Sequence, residues 1–189
     1  MEGSLAPLVL VIVLGLVFEF VNGFHDAANA VATVIATRVL RPSAAVLMAA
    51  AMNFIGAISG TAIAVTVGKG IVEPTAVTQT TVAAGLVAAI LWDLTTWWFG
   101  LPTSSSHALI FGLLGAAIAT AGLSSIVPAG AEKTLLGIGY SPVIGLLAAA
   151  TVMVLLYRIF FSVTRGRVNA IFGRAQLLSS AYAAFSHGG

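Results

Sequence analysis

The chain alternates between long apolar stretches and short polar interruptions. Five hydrophobic blocks stand out: Leu5 to Thr37, Ser43 to Val67, Thr78 to Phe99, Ser104 to Leu123 and Ser141 to Phe161, with a sixth beginning near Asn169. A helix needs about 20 apolar residues to cross a bilayer. The pattern therefore predicts an all-α, polytopic bundle of transmembrane helices. At 1.5 Å per residue the first block would reach roughly 50 Å against a hydrocarbon core of about 30 Å. Its middle, Glu19-Phe-Val-Asn-Gly-Phe-His-Asp-Ala-Ala-Asn29, is also its most polar part, which predicts a broken first helix. The third and fourth blocks meet at Gly100-Leu-Pro-Thr-Ser-Ser-Ser-His107. Pro102 ends one helix and suits the first turn of the next. The two blocks are either full spans joined by a tight turn or a re-entrant helical hairpin, the form taken as the working fold.

Composition sharpens this picture. Of 189 residues 59% are hydrophobic and 7% charged, against about 25% charged in an ordinary soluble domain. That excludes a water-facing globule, and with it disorder and nucleic-acid binding, which need polar or strongly basic sequences. There is no cysteine, so disulfides and thiolate sites are excluded. Met1-Glu-Gly-Ser4 lacks the basic start of a removable signal peptide. A hairpin or a pair of full spans both add an even number of crossings. Arg38, Arg41, Arg158, Arg165, Arg167 and Arg174 then share one side, opposite Lys69 and Lys133. By the positive-inside rule the Arg158 to Arg174 segment is cytoplasmic and the amino terminus outside, in a multi-pass protein of the cell (inner) membrane. Gly56 and Gly60 form a GxxxG packing pair, and Trp92, Trp97 and Trp98 read as an aromatic interface anchor.

Ionisable residues inside a span are functional candidates; here they are Glu19, His25, Asp26, Asp93 and His107. Glu19, Asn22, Asp26, Asn29 and Thr33 recur at spacings of three and four, one face of a continuous helix. Such a stripe either bonds neighbouring helices or lines a site, and two carboxylates with two amides exceed what helix contacts usually need. Thr103, Ser104, Ser105 and Ser106 stand at a helix start, where free N–H groups and the dipole favour an anion; alone they would be ordinary caps. Two like charges about 4 Å apart repel by about 4 kcal/mol at an effective dielectric of 20. An anion near Asp26 therefore needs a cation between them: Na+ held by the Asp26 carboxylate and the Asn22 and Asn29 carbonyls, or a proton on Asp26 or His25. That makes anion affinity depend on a cation, the basis of cation-coupled symport. Asn53 either completes the cation site or bonds across helices; Glu19 is either a proton carrier or a partner for a neighbouring helix end, Asp93 either pairs with the polar stripe or sits near an interface beside Trp92, Ser106 joins the shell around the site with His25, and His107 packs the hairpin.

Two stretches, Asn22-Gly-Phe-His-Asp-Ala-Ala-Asn-Ala-Val-Ala-Thr-Val-Ile-Ala-Thr-Arg38 and Gly100-Leu-Pro-Thr-Ser-Ser-Ser-His-Ala-Leu-Ile110, resemble the PiT-type inorganic phosphate transporter family. The resemblance implies a secondary transporter of two inverted repeats with phosphate held between them. Asp26 and Asn29 would serve the cation and phosphate sites, and Thr103, Ser104 and Ser105 would meet phosphate from the hairpin tip. Phe185-Ser-His-Gly188 echoes Phe20-Val-Asn-Gly23 and resembles the lead-in to the family's second signature. The chain then reads as one half of such a transporter, with 1–165 the first transmembrane repeat and 166–189 a linker and the start of a second. The expected partners are the bilayer, inorganic phosphate free or as a metal complex, the second repeat, and a further copy of the chain. An intramembrane hydrolase built on Ser106, His107 and Asp93 fares poorly, since adjacent Ser106 and His107 point about 100° apart and no nucleophile elbow is present. The alternative is an anion channel or a non-transporting scaffold, but the polar residues gather in two clusters and do not line a continuous pore.

Overall fold

The computed structural model describes residues 5–59 and 70–188. Gly60 and Lys69 lie outside the described residues. The described residues form six α-helices: α1 (Leu5–Ala36), α2 (Pro42–Ser59), α3 (Gln79–Trp98), α4 (Ser105–Ala121), α5 (Pro128–Phe160) and α6 (Arg165–Gly188), with 3-10 turns at Pro74–Ala76 and Leu123–Ser125. No strand is present among the described residues. Among the described residues four helices, α1, α2, α3 and α5, are long and apolar enough to cross a membrane; α4 is apolar but shorter.

The expected break in the first helix is absent. α1 runs unbroken for 32 residues through the Glu19 to Asn29 segment. Between Pro7 and Pro42 there is no proline, and Gly23 alone costs a helix only about 1 kcal/mol. In an apolar setting every backbone group released by a break would need another partner, whereas Asn22, Asp26 and Asn29 can project their polarity sideways with the backbone bonds intact.

The described residues form two packing units, and α1 contributes to both. The first takes residues 5–29 and 70–130. Its centre is an antiparallel hairpin of α3 and α4, whose register follows from three pairings: Thr81 Oγ1 with Thr120 Oγ1 at 3.4 Å, Gly85 against Gly112, and Trp92 Nε1 donating to Thr103 Oγ1 at 3.1 Å. Glycine makes the close approach possible, because a Cβ on Gly112 would sit 2.6 Å from the Gly85 carbonyl oxygen. Without water to drive association, such backbone proximity is how helices adhere in lipid. The base of the hairpin is tied by a bridge between Val72 and Ile126 and by Glu73 N–H donating to the Ser125 carbonyl at 2.8 Å. Both ends of the hairpin therefore lie together, as an even number of crossings requires. Phe18 and Val21 of α1 pack on Leu86, Ala89 and Ile90.

The second unit takes residues 30–59 and 131–188. Thr37 donates to Gln176 Oε1 at 2.8 Å, Val39 lies against Gly173, and the Gly188 backbone sits on that of Asn53. Sequence numbers rise together along both helices, so α2 and α6 are parallel. Ala45, Ala49 and Ala184 form their seam, with Ala30, Val31 and Val34 of α1 alongside. This places the turn bearing Arg38 and Arg41 beside the part of α6 around Gly173 and Gln176. None of the residues of α5 is buried.

Candidate functional site

The two sequence constellations meet in the first unit. Asp26, near the middle of α1, takes its neighbour His25 through Nδ1 at 3.0 Å. Its other oxygen accepts from Ser105 Oγ at 3.3 Å, across 79 positions of sequence. That contact joins the α1 stripe to the first turn of α4.

Helix α4 starts where the hydroxyl run predicts. Ser104 is the N-cap, in an extended conformation, and its Oγ accepts from His107 N–H at 3.4 Å. The N–H groups of Ser105 and Ser106 face out of the helix start with no intrahelical acceptor. Consecutive residues on a helix point about 100° apart, and this separates the hydroxyls. Ser105 is buried and turned to Asp26, whereas Thr103 and Ser104 line an open cavity of about 480 Å³ with Trp92, His107 and Phe111. The indole of Trp92 braces the tip by holding Thr103. Trp92 also keeps an exposed ring, as an interface anchor does, and its position eleven residues before Thr103, across a short turn, is the sequence signal for the added contact.

The other members divide. Asn22 lies one turn before Asp26, and its Oδ1 is buried without a hydrogen-bond partner among the described residues. Asp93 is fully buried, within interaction range of Ser105, His25 and Asp26, yet neither of its oxygens meets a donor in hydrogen-bond geometry. Glu19 and Asn29 are exposed, and no side-chain contact draws them toward Asp26. Asn53 belongs to the second unit, where its Oδ1 is likewise buried and unpartnered. Ser106 and His107 are exposed while Asp93 is buried, so these three are not assembled as a catalytic triad. Among the described residues no group of three His, Cys, Asp or Glu is placed to hold a metal. A cation would rest on amide and hydroxyl oxygens beside one or two carboxylates, the donor set hard cations take.

Residues 22–189 match the phosphate transporter family. The chain is 44% identical, over its whole length, to a probable low-affinity inorganic phosphate transporter of Rhizobium meliloti (strain 1021), of which it covers 58%. It is 46% identical over 98% of its length to the protein of that description from Streptomyces halstedii, covering 87% of it. It is 40% identical over 86% of its length to the low-affinity inorganic phosphate transporter PitA of Escherichia coli (strain K12), covering 35%. Among solved structures, the sodium-dependent phosphate transporter shares the fold, with a TM-score of 0.78 at 22% identity, over 97% of this chain and 55% of that one. The chain spans about half the length of the Rhizobium protein and of that structure.

Proposed function

The chain belongs to the phosphate transporter family, and we propose that it is the first repeat of a carrier that moves inorganic phosphate across the cell membrane by symport with Na+ or H+. It is a multi-pass membrane protein. The observation that carries the proposal is the Asp26–Ser105 hydrogen bond, which sets a carboxylate and a helix N-terminus side by side. Phosphate, at the open face, would meet Thr103, Ser104 and the first N–H groups of α4, with help from the positive end of the helix dipole. The cation would sit behind it with Asp26 and Asn22, relieving the repulsion between carboxylate and phosphate. Each ion then raises the affinity for the other, and by linkage the effect is reciprocal. Asn29, exposed three residues after Asp26, is available to phosphate rather than to the buried cation.

The test is uptake of radiolabelled phosphate, under imposed gradients, into proteoliposomes that hold the carrier with both its repeats. Saturable uptake driven by a Na+ or H+ gradient is expected. Uptake that never saturates and ignores both gradients would favour an anion channel and overturn the proposal.

The parallel packing of α2 and α6 supports the shared sidedness of the arginines, and with the positive-inside rule it favours a cytoplasmic Arg158 to Arg174 segment. The chain has no cysteine, so single cysteines can be read without background. Gly166→Cys should react with an impermeant maleimide only from the cytoplasmic side, and Ser124→Cys only from outside. The reverse pattern would invert the orientation.

A further inference from the structure

Helix α6 has a face that neither the packing of its unit nor the candidate site uses. Phe172, Gln176, Ser180 and Ala184 turn inward. Phe172 meets Phe160 of α5 with ring centroids 5.0 Å apart, Gln176 bonds Thr37, and Ser180 and Ala184 are buried. At 100° per residue the opposite side bears Arg167, Ile171, Arg174, Leu178 and Tyr182, at spacings of four, three, four and four. All five are exposed.

The register with α2 sets the depth of this face. Val39 lies against Gly173 and Asn53 against Gly188, so the second half of α6 runs beside a helix long and apolar enough to cross a membrane. Arg174 stands level with the turn that precedes α2, and Arg167 about 10 Å earlier along α6. The arginines are thus at headgroup height, and Leu178 and Tyr182 at the height of the acyl chains. The apolar pair suits lipid, but the arginines need an anion, and their own unit supplies none nearby. Its one acidic residue is Glu132, about 40 Å of helix away from Phe160, where α5 touches α6.

Arg38, in the adjoining turn, adds a third cation and does so under strain. Its φ is +59°, the left-handed region where a helix end ordinarily places glycine. A charge that only set the sidedness of the chain would serve as well at an unstrained position of the turn. Strain retained at such a point directs attention to a ligand.

We propose that this face of α6 is a docking surface for an anionic phospholipid of the surrounding leaflet, with its phosphate on Arg167, Arg174 and Arg38 and an acyl chain along Ile171, Leu178 and Tyr182. Cations and apolar residues on one stripe select the ligand. A soluble anion has no use for Leu178 and Tyr182, and a zwitterionic lipid brings its own cation to compete with the arginines. Guanidinium groups take phosphate oxygens in pairs, and their stems can lie along apolar surface while the charged heads stay at the interface. The surface belongs to the second unit alone, and it stands whether or not the chain is half of a carrier.

The test uses the transporter that holds both repeats, in phosphatidylcholine nanodiscs, with a fluorophore on Ala175→Cys as the sole cysteine. Ala175 is exposed at the edge of the stripe. Nitroxide-labelled phosphatidylglycerol or phosphatidylcholine is introduced as a rising fraction of the lipid, and quenching is read. Phosphatidylglycerol should reach half-maximal quenching at a mole fraction at least about fivefold lower, the ratio that one basic residue near an anionic membrane supplies. The double variant Arg167→Gln, Arg174→Gln should bring the two lipids level; a preference that survives it overturns the site. Should that variant fail to insert, Arg174→Gln decides, since it leaves five of the six arginines in place, and an unchanged ratio there also overturns the proposal. So does equal quenching by both lipids in the wild type, as when the second repeat covers this face. Displacement of the labelled phosphatidylglycerol by millimolar inorganic phosphate would make the face a site for the soluble anion and overturn the lipid as its occupant.

Discussion

In the transporter that holds both repeats, Asp26→Asn is expected to cut gradient-driven phosphate uptake by at least about 100-fold while the protein still inserts and folds. The substitution keeps the shape of the side chain and an oxygen that can accept from Ser105, so the contact between α1 and α4 survives. What it removes is the charge that holds the cation and, through it, the anion. Breaking a buried charge pair by deleting one partner costs about 3–5 kcal/mol, and about 1.4 kcal/mol corresponds to each tenfold, which sets the expected loss. Uptake in proteoliposomes measures it, with the reactivity of Gly166→Cys in the same background reporting insertion. Normal gradient-driven uptake would remove Asp26 from the mechanism.

The second large effect is structural and has its own control three residues away. A Cβ at Gly112 would stand 2.6 Å from the Gly85 carbonyl oxygen, which belongs to a backbone that cannot swing aside; one at Gly115 would meet nothing within 4 Å. Gly112→Ala should therefore destabilise the hairpin by about 1–3 kcal/mol, the usual range for overpacking, and Gly112→Leu should prevent its closure. Gly115→Ala should be neutral or stabilising by up to about 1 kcal/mol, the helix preference of alanine over glycine. Thermal unfolding of the variants in detergent distinguishes them. Equal effects at both positions would mean that α3 and α4 do not touch there.

Much of this architecture is legible in hydropathy because lipid-facing helices must be apolar along their length. The third and fourth blocks fall within two residues of α3 and α4. The fifth begins too late: α5 starts at Pro128, thirteen residues before Ser141, since Glu132 and Lys133 lower hydropathy without disturbing a helix's backbone. The break expected in α1 fails for the related reason that polarity of side chains was read as weakness of the backbone. At the site, the hydroxyl run marked the start of α4, because N-capping is local chemistry, although the cap is Ser104 and Pro102 lies before the helix and not in its first turn. The partition of Ser104 from Ser105, and the brace from Trp92 to Thr103, depend on rotation of helices about their axes, which composition does not encode. Asp93 lay between these cases. Gly85, Ala89 and Thr96 recur on its face of α3, a stripe of small residues that already indicates close packing around a carboxylate.

The parallel seam between α2 and α6 also bears on how the protein is made. Asn53 and Gly188 touch, yet 188 − 53 = 135 residues of synthesis separate them, roughly 7–27 s at about 5–20 residues per second. For that interval the groove between α1 and α2 that Ala184 fills lacks its occupant, and lipid or an insertion factor must stand in. A ribosome stalled after α5 and before α6 should leave α2 open to crosslinking by whatever lies beside the nascent chain, and the crosslinks should vanish once α6 has emerged.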